Sequence, residues 1–275
     1  MKKFRNIVCL LLAGVMLFSA GCKKNKEEPK DEGEKFSSTY LVEDGRSPYK
    51  IVVPENASKT INSAAGELQL FFKEATGVTL SVLSDDSLSF DENGYYLSIG
   101  ETGMLRGSGV ETKAEELGAD GLRLVTKGNT VVMAGCSDNG AMYAMYEFLE
   151  RTFNLEVYAE DEYYIDKNVD DLHLKIFDVT ERPAFDRRSV GLYPYSVNAT
   201  FRNRMRQELY NEGWIYWSHS HFKIMPTETY YDAHKDWYSP DGTQLCLTND
   251  EMRAEFTKNV IELVKENPDC GYIML

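Results

Sequence analysis

The chain has 275 residues, 43% of them hydrophobic, with 44 acidic side chains against 30 basic ones and a formal charge of −14. That length and apolar content can bury at least one sizeable core and give a prior of about two domains, which excludes a disordered chain. The acidic balance excludes a nucleic-acid binder and other polyanionic partners, because neutralising phosphates needs a basic face and Lys and Arg cluster only at the extreme N-terminus.

Lys2, Lys3 and Arg5 precede an apolar run from Ile7 to Phe18, which is shorter than the roughly 20 residues that span a bilayer as a helix. Residues 1–21 therefore read as a secretory signal. The run ends in Ser19-Ala20-Gly21-Cys22, which resembles the bacterial lipobox, with Ser19 where that motif usually has Leu. Cys22 is accordingly the expected lipidation site and first residue of a mature, membrane-anchored protein of the cell envelope; an ordinary cleaved signal is the alternative. Residues 22–35 carry charge and almost no apolar side chain and are expected to form a disordered tether. Cys136, Cys246 and Cys270 are widely spaced, without a CxxC pair, and are expected as buried thiols rather than disulfides or zinc ligands.

Tyr49 to Val53 predicts a strand. Lys59 to Thr76 then places Ile61, Ala64, Ala65, Leu68, Phe71, Phe72 and Ala75 on one helical face, closed by Gly77. Val78 to Leu83 and Tyr95 to Ile99 read as further strands. Gly121 to Thr126 and Thr130 to Ala134 flank Lys127-Gly128-Asn129 as a hairpin. Asp138 to Phe153 predicts a second helix, with Asp138 as its cap and Met142 and Met145 as core filling. So few helices for so many strands exclude a doubly wound sheet and predict an α+β sandwich over residues 36–180. Tyr163 to Phe177 holds two strand-like pieces, and Asp178 to Pro183 is expected to break regular structure at a domain boundary. Beyond it, Phe185 to Leu192 reads as a strand and Thr200 to Asn211 as a helix. Thr248 to Glu266 is the clearest helix, with Thr248 and Glu251 as a capping box and Gly271 to Leu275 opening another strand.

Between the last two helices lies a stretch rich in aromatic and polar residues: Trp214 to Phe222, Tyr230-Tyr231, His234 to Tyr238 and Gln244 to Asn249. Aromatic faces stack on the C–H surfaces of sugars while His, Gln, Asn and Arg bond hydroxyls, so this composition suits a carbohydrate site. A long loop with its aromatics folded inward is the competing reading. His219, His221 and His234 lack any compact metal-ligand spacing, and no metal or cofactor is expected.

The segment DGLRLVTKGNTVVMAG and GAMYAMYEFLER, with Asp120, Gly121, Gly135, Gly140, Tyr146, Phe148, Leu149 and Glu150, resembles the N-terminal non-catalytic domain of family 67 α-glucuronidases and its counterpart in family 20 hexosaminidases. ERPAFDRR, FRNRM, HSHF, HKDWY, QLCLTN and ENP resemble the bacterial "domain of unknown function 4838" proteins. The resemblance implies an α/β protein: a glycoside-hydrolase accessory domain over 36–180, then, over 181–275, the first units of a (β/α)8 glycoside-hydrolase-like barrel. A full barrel takes about 250 residues, so this part holds two or three βα units and is incomplete. An exported glycoside-hydrolase-like lipoprotein acting on polysaccharide or glycoconjugate sugars is implied, with a non-catalytic carbohydrate-binding surface lipoprotein as the alternative. No catalytic carboxylate is identifiable, Glu228, Asp232 and Asp236 being candidates by type only. By resemblance, Arg188 matches the Arg that grips sugar hydroxyls in family 20 hexosaminidases, and His219, His221, His234, Trp237 and Gln244 are expected beside it as substrate-binding residues. The alternative is that Arg188 pairs with an acid at the domain interface while the histidines pin a loop.

Overall fold

A computed structural model of the chain describes residues 33–185, 187–191, 197–208, 213–216 and 218–275. The signal segment, Cys22, most of the tether, Leu192, Leu209, Asn211 and Trp217 lie outside the described residues.

The N-terminal half is built on strands β1 (Phe36–Val42), β2 (Lys50–Val53), β3 (Val82–Ser84), β4 (Tyr96–Ile99), β5 (Leu122–Lys127), β6 (Thr130–Gly135), β7 (Glu156–Val157), β8 (Tyr163–Tyr164), β9 (Leu172–Lys175) and β10 (Asp178–Glu181). Its helices are α1 (Lys59–Thr76), α2 (Gly103–Ser108), α3 (Ala114–Leu117) and α4 (Asp138–Phe153). Six strands form one mixed sheet in the order β10-β5-β6-β4-β2-β3. The β2–β3, β2–β4 and β4–β6 pairs are parallel, and β5 is antiparallel to both β6 and β10. The period-two alternation of β6 sorts its side chains between two layers. Val131 and Met133 join the main core under α1 and α4, whereas Val132 and Ala134 face Leu105 of α2.

Local signals fix the long elements where the periodicity puts them. Ile61, Ala64, Ala65, Leu68, Phe71, Phe72 and Ala75 of α1 are all buried, its N-cap Ser58 accepts from the Ile61 N–H, and Gly77 ends it at φ 77° with its N–H on the Lys73 carbonyl. The β5–β6 turn closes with Lys127 opposite Thr130, and Gly128 takes φ 58° at the first turn position, where a two-residue loop of this hand favours glycine.

Several expectations need correction. Asp178 to Glu181 is an edge strand, β10, held because Arg123 of β5 donates to the Val179 carbonyl (3.1 Å) and pairs with Asp178 (2.6 Å). The α4 cap is Ser137, which accepts from Gly140, with Asp138 in the first turn. The second region's first helix, α5, spans only Ala199–Arg204, because Arg206 at φ 52° turns the chain so that the Glu208 N–H reaches the Arg188 carbonyl (2.8 Å). The cysteines are not buried thiols: Cys136 is exposed on the turn after β6, and Cys246 and Cys270 are half-buried. Regular pairing in β3 also starts only at Val82, and β1 pairs antiparallel with β9, a ladder that the sequence patterning did not announce.

Beyond β10 the described residues carry helices and isolated bridges but no strand ladder, so the strands expected from Phe185 and from Gly271 are reduced to single bridges. A parallel bridge joins Ser189 to Glu208 around α5, and another joins Trp214 to Tyr272 around α8 (Asp250–Glu266). The fold is thus mixed α/β, with a barrel that is not closed in this chain. Helix α8 is capped by Asn249, which accepts from Met252 (3.0 Å), one residue past the Thr248 expected in that role. Between Tyr216 and α8 runs a long connection containing α6 (His221–Ile224), α7 (Thr227–Tyr230) and a 3-10 turn at Lys235–Trp237.

Candidate functional site at the strand ends

In a (β/α)8 arrangement the loops that follow the parallel strands build the site. Here that position is marked only by the isolated Ser189–Glu208 bridge, and Arg188 directly precedes it. Its guanidinium donates to Asp120 (3.1 Å), to the Phe185 carbonyl (3.0 Å) and to the Arg206 carbonyl (3.2 Å), with Glu208 at 4.0 Å. Arg188 therefore has an acid of the N-terminal domain as partner. It also lines a cavity of about 250 Å3 at the seam of the two halves, which Tyr143, Glu181, Phe185 and Gln207 help to wall. Burial, reinforced by the Asp120 charge and partly offset by Arg188, pushes the Tyr143 hydroxyl up to about 12, so it stays a neutral hydrogen-bonding group. Phe185 is 74% exposed and presents an open ring at this seam.

The other expected residues lie in the connection between the bridge residue Trp214 and α8. Fully buried Ser220 donates its hydroxyl to the Met274 carbonyl, which ties the start of the loop to the segment after α8. Ile224, Met225, Trp237, Tyr238 and Met252 close a second core, reinforced by Asn259, whose amide donates to the Ile224 carbonyl (3.0 Å) and the Tyr230 hydroxyl (2.9 Å). Trp237 belongs to this core. It is 6% exposed with His234 stacked on it at 3.8 Å between ring centroids, so its ring is covered rather than offered to a ligand. Exposed His219 takes φ 50° at the loop entry, and half-buried His221 opens α6 with its ring 5.7 Å from Phe256. Gln244 is exposed on the closing turn, where its backbone exchanges hydrogen bonds with Ser239.

The structure thus joins His234 to Trp237 and strings His219, His221 and Gln244 along one loop, while the cavity lined by Arg188 contains none of the five. Asp236 accepts from the capping Asn249 amide (2.9 Å). Among the described residues no three His, Cys, Asp or Glu side chains gather as a metal ligand set. The sequence reading missed Tyr143, Glu181, Phe185 and Gln207 as neighbours of Arg188. Of these, only the exposed, Pro-flanked Phe185 carried a local signal.

Residues 35–148 match the Glycosyl hydrolase family 67 N-terminus, and residues 160–275 match the Domain of unknown function (DUF4838). The two matches cover consecutive parts of the chain. Asp120 lies in the first matched region and Arg188 in the second, so their ion pair and cavity join the two. No curated protein matches the chain. Among solved structures it is similar to BtGH115A, described as a family GH115 4-O-methyl-α-glucuronidase with specificity for decorated arabinogalactans, at TM-score 0.42 and 11% identity over 62% of this chain. It is similar also to CpGH84D, at TM-score 0.41 and 12% identity over 91% of this chain. The chain spans 25% and 43% of the length of those two proteins.

Proposed function

We propose that this protein is an exported, lipid-anchored member of a glycoside-hydrolase-like group that takes hold of carbohydrate, with Arg188 as the principal sugar contact and His219, His221, His234 and Gln244 as flanking polar contacts. The observation that carries the reading is the seam cavity. There a fixed guanidinium, a neutral buried phenol and an open aromatic ring converge on one space, the mixture of directional donors and apolar face that suits a pyranose. Asp120 orients Arg188, and in this reading a guanidinium N–H not used by Asp120 or the two carbonyls serves a sugar hydroxyl. Trp237 supports the loop from beneath through His234.

Glycan-array binding and turnover of aryl glucuronides and N-acetylhexosaminides test the proposal. Binding with release of sugar supports a hydrolase, and binding without release supports a capture protein. A lost bond to a charged donor costs roughly 1.5–3 kcal/mol, so Arg188→Ala should weaken sugar binding about tenfold or more, with circular dichroism unchanged. Arg188→Lys keeps the charge but not the fork and should fall between. Affinity equal to wild type in both variants overturns the site. Anchoring is tested separately: Cys22→Ala should take up no radioactive palmitate in cells, because stable attachment needs more than one acyl chain on that residue. Equal labelling of variant and wild type rejects the lipid anchor.

A further inference from the structure

The short hairpin after α4 presents chemistry that the strand-end site does not use. Its sequence, Glu156 to Asp166, alternates between a face turned to the core and a face turned out. On the inner side Tyr163 donates its hydroxyl to Glu74 (2.7 Å) and packs edge-on against Phe71 at 5.2 Å, while Leu155 and Ile165 join the main core. The register Glu156↔Tyr164 puts these two side by side on the outer side, and Tyr158 follows Glu156 by two residues on that same side. Tyr158 and Tyr164 are 63% and 51% exposed, large aromatic surfaces that no part of the described chain covers.

Both phenols are held. Tyr158 donates to Glu156, and Tyr164 donates to Asp166 (2.8 Å), which itself accepts from the Asn154 amide (2.8 Å). Rings oriented in advance lose little freedom when a ligand lands on them, and each carboxylate keeps lone pairs free for further donors. Glu156, which Tyr158 bonds, also lines a cleft of about 430 Å3 between Leu155–Val157 and Arg204–Arg206. From Glu156 to Asp166 there are five acids and no base. Such a face repels uronates and phosphates, whereas a neutral sugar chain offers C–H surfaces to the rings and hydroxyl donors to the carboxylates.

We propose that the outer face of the β7–β8 hairpin is a platform for neutral polysaccharide, distinct from the strand-end site. It rests on the carbohydrate reading above, and the test separates the two. The full chain is run in native gels containing arabinoxylan, mixed-linkage β-glucan or galactomannan, with polygalacturonate and poly-lysine as charged comparators. At least one neutral polysaccharide should retard the wild type. Tyr158→Ala with Tyr164→Ala should lower the apparent affinity about tenfold or more, the scale expected when two central aromatic contacts are removed. Tyr158→Phe with Tyr164→Phe, which keeps the rings and releases the hydroxyls, should lose less. Tyr163 still anchors the hairpin in both variants, and an unchanged circular dichroism spectrum verifies the fold. Retardation that survives in the double Ala variant, absence of retardation by every neutral polysaccharide, or retardation by a charged comparator alone overturns the platform. Platform binding that persists while Arg188→Ala changes nothing leaves the platform standing and removes the strand-end site. Loss in Arg188→Ala with none in the tyrosine variant does the reverse.

Discussion

Gly121, Gly135 and Gly140 meet backbone to backbone where α4 starts against the end of β6. A Cβ on Gly140 would lie 2.4 Å from the Gly121 carbonyl oxygen, and one on Gly135 would lie 2.6 Å from the Gly140 backbone. No flexible side chain can yield there. Gly140 lies in the first turn of a helix, where Ala ordinarily gains up to about 1 kcal/mol over Gly. Close packing predicts the opposite sign: Gly140→Ala should lose roughly 1–3 kcal/mol by urea unfolding, and a gain would refute the contact. Glu147, further along α4, gives a second residue-scale prediction. Burial alone would raise its carboxyl, but hydrogen bonds and charge from Arg206 (2.7 Å) and Arg151 (2.6 Å) hold it below the ordinary range. A depressed folded value means stability present above the unfolded value and lost as pH falls through the folded one. Neighbouring Glu150 is shifted the other way, chiefly by burial, so it does not produce that acid-side loss. Glu147→Gln should therefore unfold at lower urea than wild type at pH 7, with the gap closing as pH drops below the ordinary carboxylate range. A gap of constant size would show that Glu147 does not titrate against its arginines.

At the scale of elements, what the sequence discloses is what neighbours along the chain decide. Helix α1, its Gly77 terminus, the β5–β6 hairpin and the buried Met142 and Met145 all follow from spacing within one element. The β1–β9 ladder does not, because only Leu41 and Val42 of β1 are buried and its partner lies some 130 residues away. Strand β10 reads as a polar break for a related reason. Its acids suit an edge, and only Arg123 on the adjacent strand reveals that the edge is paired. The end of α5 is set by a turn at Arg206 whose side chain is fixed by Glu147 and Glu150 of another helix. The same limit governs the site. Arg188 was legible as a residue of interest, yet its partner Asp120 sits 68 positions earlier, and aromatic composition could not tell the buried Trp237 from the exposed Tyr158.

Among the described residues two large cores flank one seam, and a small layer around Leu105, Val132 and Ala134 lies on the other face of the sheet. The main core runs from Leu41 to Phe177, the second gathers around Trp237 and Met252, and no residue belongs to both. Arginines of the segment before the second core cross to acids of the first domain. Arg204 makes a two-pronged contact to Glu67 (2.7 and 3.1 Å) over the rings of Phe71 and Tyr163, and Arg206 reaches Glu147 and Glu150. The Arg204 and Glu67 side chains are only 10% and 15% exposed, so salt screens the pair weakly, and removing one partner leaves a charge in a poor solvent. These bonds are expected to couple the unfolding of the two cores. All three tryptophans, Trp214, Trp217 and Trp237, follow the seam in sequence, so their emission reports the second half, while far-ultraviolet circular dichroism reports both. In the wild type the two signals should be lost at the same urea concentration, as in a cooperative unit. With Arg204→Ala and Arg206→Ala together, the tryptophan transition should move to lower urea while part of the dichroism persists to a second midpoint. If the two signals still coincide in that variant, the halves are coupled through apolar contact rather than through the arginines, and the seam's ion pairs serve orientation alone.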